Sequence, residues 1–154
     1  MEEQKIAEKN LILKFLSGSH AYGTQTPESD KDHIGVFIPP ERYILGNKRC
    51  EQVQIRTNNP SDSKKKNTKE DTDTVIYSLP KYLQLLAANN PTVLETLFYE
   101  KKNILFCNDF GKRVLDSWKI FASKKAKHTF LGYSYTQKKA LTHKRKVVCS
   151  RGSA

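Results

Sequence analysis

Asp30 and Asp32 stand one residue apart in "SDKDHIGV" (29–36), ten residues after the pair Gly18-Ser19. On a strand, side chains alternate between faces, so a D-x-D pair sends both carboxylates to the same side. Two such charges about 4 Å apart repel by roughly 4 kcal/mol at an effective dielectric near 20, and the pair therefore calls for a cation. Mg²⁺, with Mn²⁺ as substitute, suits the task because it takes a few carboxylate oxygens together with water and phosphate. A third carboxylate from a neighbouring strand would complete a two-ion site, one ion activating an attacking oxygen and the other holding a phosphate chain. Asp73 is the candidate, and Asp71, two residues earlier, is the alternative. Gly18 and Ser19 would offer backbone N–H groups and a hydroxyl to phosphate oxygens, and Ser29 would orient Asp30.

The elements that must position these groups follow from the local pattern. "LILKFL" (11–16) reads as a buried strand stopped by Ser17-Gly18-Ser19, where glycine permits a tight turn and serine can cap a short helix. "DKDHIGVFIPP" gives a second strand ended by Pro39-Pro40, "PERYIL" a short helix, and "CEQVQIRT" (50–57) a third strand. The polar, charged stretch 58–71 reads as a mobile loop, and "DTDTVIYSL" beyond it as a half-buried strand with Asp73 near its start. From Leu79 onward the pattern turns helical. Leu79, Tyr82, Leu83 and Leu86 fall at i, i+3, i+4, i+7, another helix starts at Pro91, "NILF" (103–106) is a short strand or link, and two further helices follow.

A chain of 154 residues with 37% hydrophobic and 28% charged residues lies in the globular range, and one domain suffices: a sheet-rich half over 1–78 and a helical half over 79–146. The expected fold class is α/β, a small mixed sheet with flanking helices. A net charge of +11 points to a polyanionic partner, nucleic acid first. Lys124, Lys125, Lys127, Lys138, Lys139, Lys144, Arg145 and Lys146 are the candidate nucleic-acid contacts. Tyr133 and Tyr135 lie among them, and both read better as packing residues than as stacking groups. Tyr22 and Gly23 stand equally for a place in the nucleotide site and for packing on the core. His33 reads as structural, Glu95 as an exposed helix residue rather than one facing the site, and Asn89 and Asn90 as a helix-joining turn. Cys50, Cys107 and Cys149 are far apart, without a zinc or disulfide spacing, and no apolar run reaches membrane-spanning length, so a cytoplasmic protein with no membrane association is expected.

Gly-Ser followed after ten residues by D-x-D resembles the nucleotidyltransferase signature of the DNA polymerase β superfamily. "GSHAYGTQTPESDKDHIGVFIPP", "YSLPKYLQLLAANNPTVLETLF" and "FASKKAKHTFLGYSYTQKKAL" further resemble the RNA-repair-pathway branch of that superfamily, over residues 11–40 and 73–141. The resemblance implies that Gly18, Ser19 and Ser29 bind nucleotide, that Asp30 and Asp32 bind catalytic metal, and that Asp73 is the third carboxylate, on the side that deprotonates the acceptor hydroxyl. It implies transfer of a nucleoside monophosphate from an NTP to an acceptor, most plausibly an RNA 3′ end. The chain departs from the branch in its charged insertion ahead of Asp71 and in an end that comes early. Transfer to a protein or small-molecule hydroxyl, and a non-catalytic RNA- or nucleotide-binding module on the same fold, are the alternatives.

Overall fold

A computed structural model describes residues 2–27, 29–57 and 72–150, with 140–150 described by backbone alone. Asp71 and the expected mobile loop 58–71 lie outside the described residues. The chain opens with a helix, α1 (Glu2–Lys9), which the acidic, polar N-terminus does not announce. Its buried Ala7 and the neighbouring Ile6 are the two residues that seat it. Strand β1 (Leu11–Ser17) follows, then the five-residue helix α2 (Gly18–Tyr22), strand β2 (Lys31–Phe37), helix α3 (Glu41–Ile44) and strand β3 (Gln52–Arg56). Strand β4 (Thr72–Ser78) leads directly into α4 (Leu79–Ala87) and α5 (Pro91–Leu94), the latter continuing as a 3-10 turn over Glu95–Phe98. A second 3-10 turn, Lys101–Asn103, precedes strand β5 (Ile104–Cys107), and α6 (Asp109–Asp116), α7 (Trp118–Phe121) and α8 (Lys125–Ser150) complete the chain.

The helix starts carry their own signals. Ser78 and Asn90 accept from the backbone N–H groups of Lys81 and Val93, with a proline in each first turn, and Asn108 accepts from Gly111. Asn89 turns the chain between α4 and α5 with φ 56°, its amide donating to the Leu86 and Ala87 carbonyls and its carbonyl accepting from Ser123.

The five strands form one mixed sheet in the order β3-β4-β2-β1-β5, matching the α/β expectation. β2 and β4 run parallel, and the other neighbours run antiparallel. One face carries Leu13, Phe15, Ile34 and Val36 against Tyr82 and Leu86 of α4 and Val93 and Leu94 of α5. The other face buries Phe37 and Ile76 with Ala7, Tyr43 and Cys50. Among the described side chains, α8 joins the first of these cores through Ala126 and Phe130 at its start, and residues 131–139 are exposed. The packing role expected for Tyr133 and Tyr135 is therefore not met: Tyr135 is 72% exposed, because the helix leaves the body one turn after Phe130. No described helix is long and apolar enough to cross a membrane.

Candidate active site

Parallel pairing places Asp32 of β2 directly beside Asp73 of β4. β1 and β3 extend the same row, with Ser17 opposite Asp32 and Arg56 opposite Asp73. Because pairing partners project to the same side of a sheet, Arg56, Asp73, Asp32 and Ser17 form one line of side chains across four strands. They lie on the face that carries Ile34 and Val36, one layer beyond the end of that core. The two aspartates sit near the starts of their strands, where the row passes from packed core to solvent. Asp30 precedes β2 by one residue and is partly buried like Asp32 and Asp73.

The three carboxylates share one field. Burial, then the charges of Asp30 and Asp73, hold the Asp32 carboxyl above its ordinary pKa, and His20 on α2 acts in the opposite sense. Asp73 is engaged by two neighbours on β3: Arg56 Nε donates to Asp73 Oδ2 at 3.0 Å, and Gln54 Nε2 donates to both carboxylate oxygens at 3.3 and 3.4 Å. Among the described residues no three His, Cys, Asp or Glu side chains are grouped so that they could hold a metal ion as they stand. The donor chemistry nevertheless suits Mg²⁺: hard carboxylate oxygens, mutually repelling, on one face of adjacent strands.

Gly18 and Asp32 are built against each other. Gly18 has φ +62°, a conformation that disfavours L side chains, and a Cβ there would run into the Asp32 carboxylate. Glycine lets the turn close over the Asp32 carboxylate without displacing it. Ser17 ends β1 as the residue before α2, but its hydroxyl does not cap the helix; it meets the Tyr99 hydroxyl at 3.1 Å instead. Ser19 is partly buried within α2. Ser29 Oγ accepts from the Thr26 N–H at 2.9 Å and meets Thr26 Oγ1 at 3.1 Å, closing the turn that delivers Asp30. His33 points away from the aspartates and meets Thr74 at 3.4 Å, as the alternation on β2 requires.

Of the basic candidates, Lys124, Lys125, Lys127, Lys138 and Lys139 are exposed along α8 and just ahead of it. Lys144, Arg145 and Lys146 belong to the same helix, and their side chains lie outside the described residues. Two groups escaped the sequence reading. Arg56 and Gln54 were legible in "QVQIR", where polar residues at every second position mirror Asp73 on the partner strand. Glu95, read as an exposed helix residue, is half-buried and accepts from the Tyr99 hydroxyl at 3.3 Å.

The comparisons agree with this geometry at the level of family. The model of RlaP, the RNA repair pathway DNA polymerase beta family, matches residues 1–151. A 38.9 kDa protein from the nrdC-mobD intergenic region of Enterobacteria phage T4, itself uncharacterized, is 36% identical over 124 residues, which is 79% of this chain and 36% of that protein. The chain thus spans about a third of that relative's length. No solved structure matches.

Proposed function

The chain belongs to the RNA repair pathway DNA polymerase beta family and is nucleotidyltransferase-like, and on that basis we propose that it transfers a nucleoside monophosphate from an NTP to an acceptor hydroxyl, releasing pyrophosphate. The observation that carries this reading is the pairing of Asp32 with Asp73 beside Asp30, under the Gly18 turn that leaves room for the Asp32 carboxylate. Asp30, Asp32 and Asp73 would hold Mg²⁺ or Mn²⁺, which supplies charge neutralisation for the phosphates and a lowered pKa for the attacking hydroxyl when bound. Gly18 and Ser19 would receive phosphate oxygens on their backbone N–H groups and the Ser19 hydroxyl. Ser29 would keep Asp30 in place by closing its turn, and Asp73 would take its position on the acceptor side.

The acceptor we assign is an RNA 3′ end. The net charge of +11 and the exposed lysines of α8 favour a polyanion. A protein or small-molecule hydroxyl would need less basic surface. The second reading, an RNA-binding module that no longer turns over, is favoured by one observation: both Asp73 carboxylate oxygens are already engaged by Arg56 and Gln54.

One screen separates the two. The chain is incubated with Mg²⁺ or Mn²⁺ and each labelled NTP, against RNA and protein acceptors, with Asp30→Ala as control. Label transferred to RNA by the parent chain and lost in the variant is the expected result. Salt-sensitive RNA binding with no transfer from any NTP to any acceptor would give the binding module.

A further inference from the structure

Tyr22 is turned the wrong way round for a surface tyrosine. An exposed tyrosine ordinarily packs its ring on the body and leaves its hydroxyl in water. Here the residue is 57% exposed, yet its hydroxyl is turned towards the Glu95 carboxylate and the Tyr99 hydroxyl, both of which act on it. Burial is the first cause, and Glu95 the second, that hold this phenol far above its ordinary pKa. Its polar end is therefore inside, and the ring is what faces solvent.

The anchor is itself fixed. Tyr99 packs edge-on against Phe15 of the core at 5.8 Å and reaches Ser17 at 3.1 Å, while Asn103 Nδ2 donates to the Ala21 carbonyl at 3.3 Å. Glu95, Tyr99 and Asn103 thus tie α2 down at both ends. On α2 itself, Ser19 and Tyr22 stand at i and i+3, so they neighbour each other on one face of the helix. Beyond Tyr22, the space around Gly23 is open: a Cβ built there meets nothing within 4 Å.

We infer that Tyr22, held by Glu95 and Tyr99, is a stacking platform for the base of the incoming nucleotide, next to the turn that takes its phosphates. A ring pinned at its hydroxyl loses little freedom when a base settles on it, and stacking tolerates any of the four bases. This inference rests on the nucleotidyltransferase reading, because it takes the phosphate position from Gly18 and Ser19.

The test is isothermal titration calorimetry on the full chain with two probes in Mg²⁺, ATP and inorganic tripolyphosphate. Tyr22→Leu is expected to weaken ATP about 10-fold or more, the range for removing a stacking ring from one base, and to leave tripolyphosphate within about two-fold. Tyr22→Trp should restore ATP binding. Glu95→Gln should weaken ATP by less than Tyr22→Leu, since the ring stays while its anchor loosens. Equal weakening of both probes, or of neither, would overturn the platform. Should ATP bind with the expected discrimination while no acceptor is ever labelled, the platform stands and the transfer reading falls. A parent chain that binds neither probe overturns both.

Discussion

Replacing Gly18 by alanine tests whether the turn and Asp32 are shaped by each other. Left-handed backbone costs an L residue about 1–2 kcal/mol, and the stiffer unfolded chain of alanine returns about 0.4–1 kcal/mol. The backbone alone therefore nets roughly 1 kcal/mol of destabilisation. Gly23 measures that contribution by itself, because its φ is +68° and an added Cβ meets nothing within 4 Å. At Gly18 the Cβ also meets the Asp32 carboxylate, which must leave its preferred rotamer at a cost of about 1 kcal/mol. Gly18→Ala is thus expected to cost about 2 kcal/mol, or roughly 4–8 °C in Tm, against about half that for Gly23→Ala. In an Asp32→Ala background the carboxylate is gone and only the Cβ of residue 32 remains, at 3.1 Å, so Gly18→Ala should cost less than in the parent, a coupling of up to about 1 kcal/mol. Urea denaturation of the four single and double variants reads these values from midpoint and slope. An equal cost of Gly18→Ala in both backgrounds would refute the reasoning.

Asp32→Asn carries a pH signature. The Asp32 carboxyl titrates above its ordinary 3.8 in the folded chain, so the folded state holds that proton more tightly than the unfolded state does. Its stabilising contribution is full below pH 3.8 and lost as pH rises through the folded-state value. Thermal melts should show Asp32→Asn more stable than the parent at pH 7 and no more stable below pH 3.8; a gain independent of pH would contradict this. Reversing Lys124, Lys125 and Lys127 to glutamate should weaken RNA binding and flatten the dependence of log K on log salt by about 2, at roughly 0.7 per single-strand phosphate contact. An unchanged slope in filter binding would remove this stretch from the RNA path. Asn89→Ala gives up the hydrogen bonds to Leu86, Ala87 and Ser123 and puts alanine at φ 56°. A loss of about 2–4 kcal/mol is expected on denaturation, and Asn89→Gly should recover the backbone share.

Much of the sheet was legible because its strands announce themselves by alternation bounded by turn residues, as in "LILKFL" and "DTDTVIYSL". That Asp73 stands beside Asp32 is a matter of register, which no local pattern encodes: parallel pairing with β2 makes the two neighbours. α1 was hidden because only Ile6 and Ala7 of its eight residues seat it, too few to print a helical period. The stretch "NDFGKRVLDSWKIFAS" reads as one helix and is two, since Ser117 ends α6 with its hydroxyl bonded to the Arg113 carbonyl. Glu95 looked exposed because α5 gives way to a 3-10 turn there, which rotates the side chain off the face that an α-helical count assigns.

The charge of the whole chain and the charge of the site are separate quantities, and the second decides the chemistry. Among the described residues no lysine of α8 is among the groups that shift Asp32; besides burial, those groups are Asp30, Asp73 and His20. Neighbouring strands are roughly 4.8 Å apart, where two carboxylates at an effective dielectric near 20 repel by about 3–4 kcal/mol. The Arg56–Asp73 pair is about half exposed on the arginine side, so it offsets no more than about 1 kcal/mol of this. Burial first, then the charges of Asp30 and Asp73, hold the Asp32 pKa up. Under the reading proposed above, a cation that met Asp30, Asp32 and Asp73 together would relieve what Arg56, at the outer end of the row, does not. An RNA-binding surface alone would have no use for that arrangement, because carboxylates facing a phosphate backbone without an intervening cation only weaken its attraction.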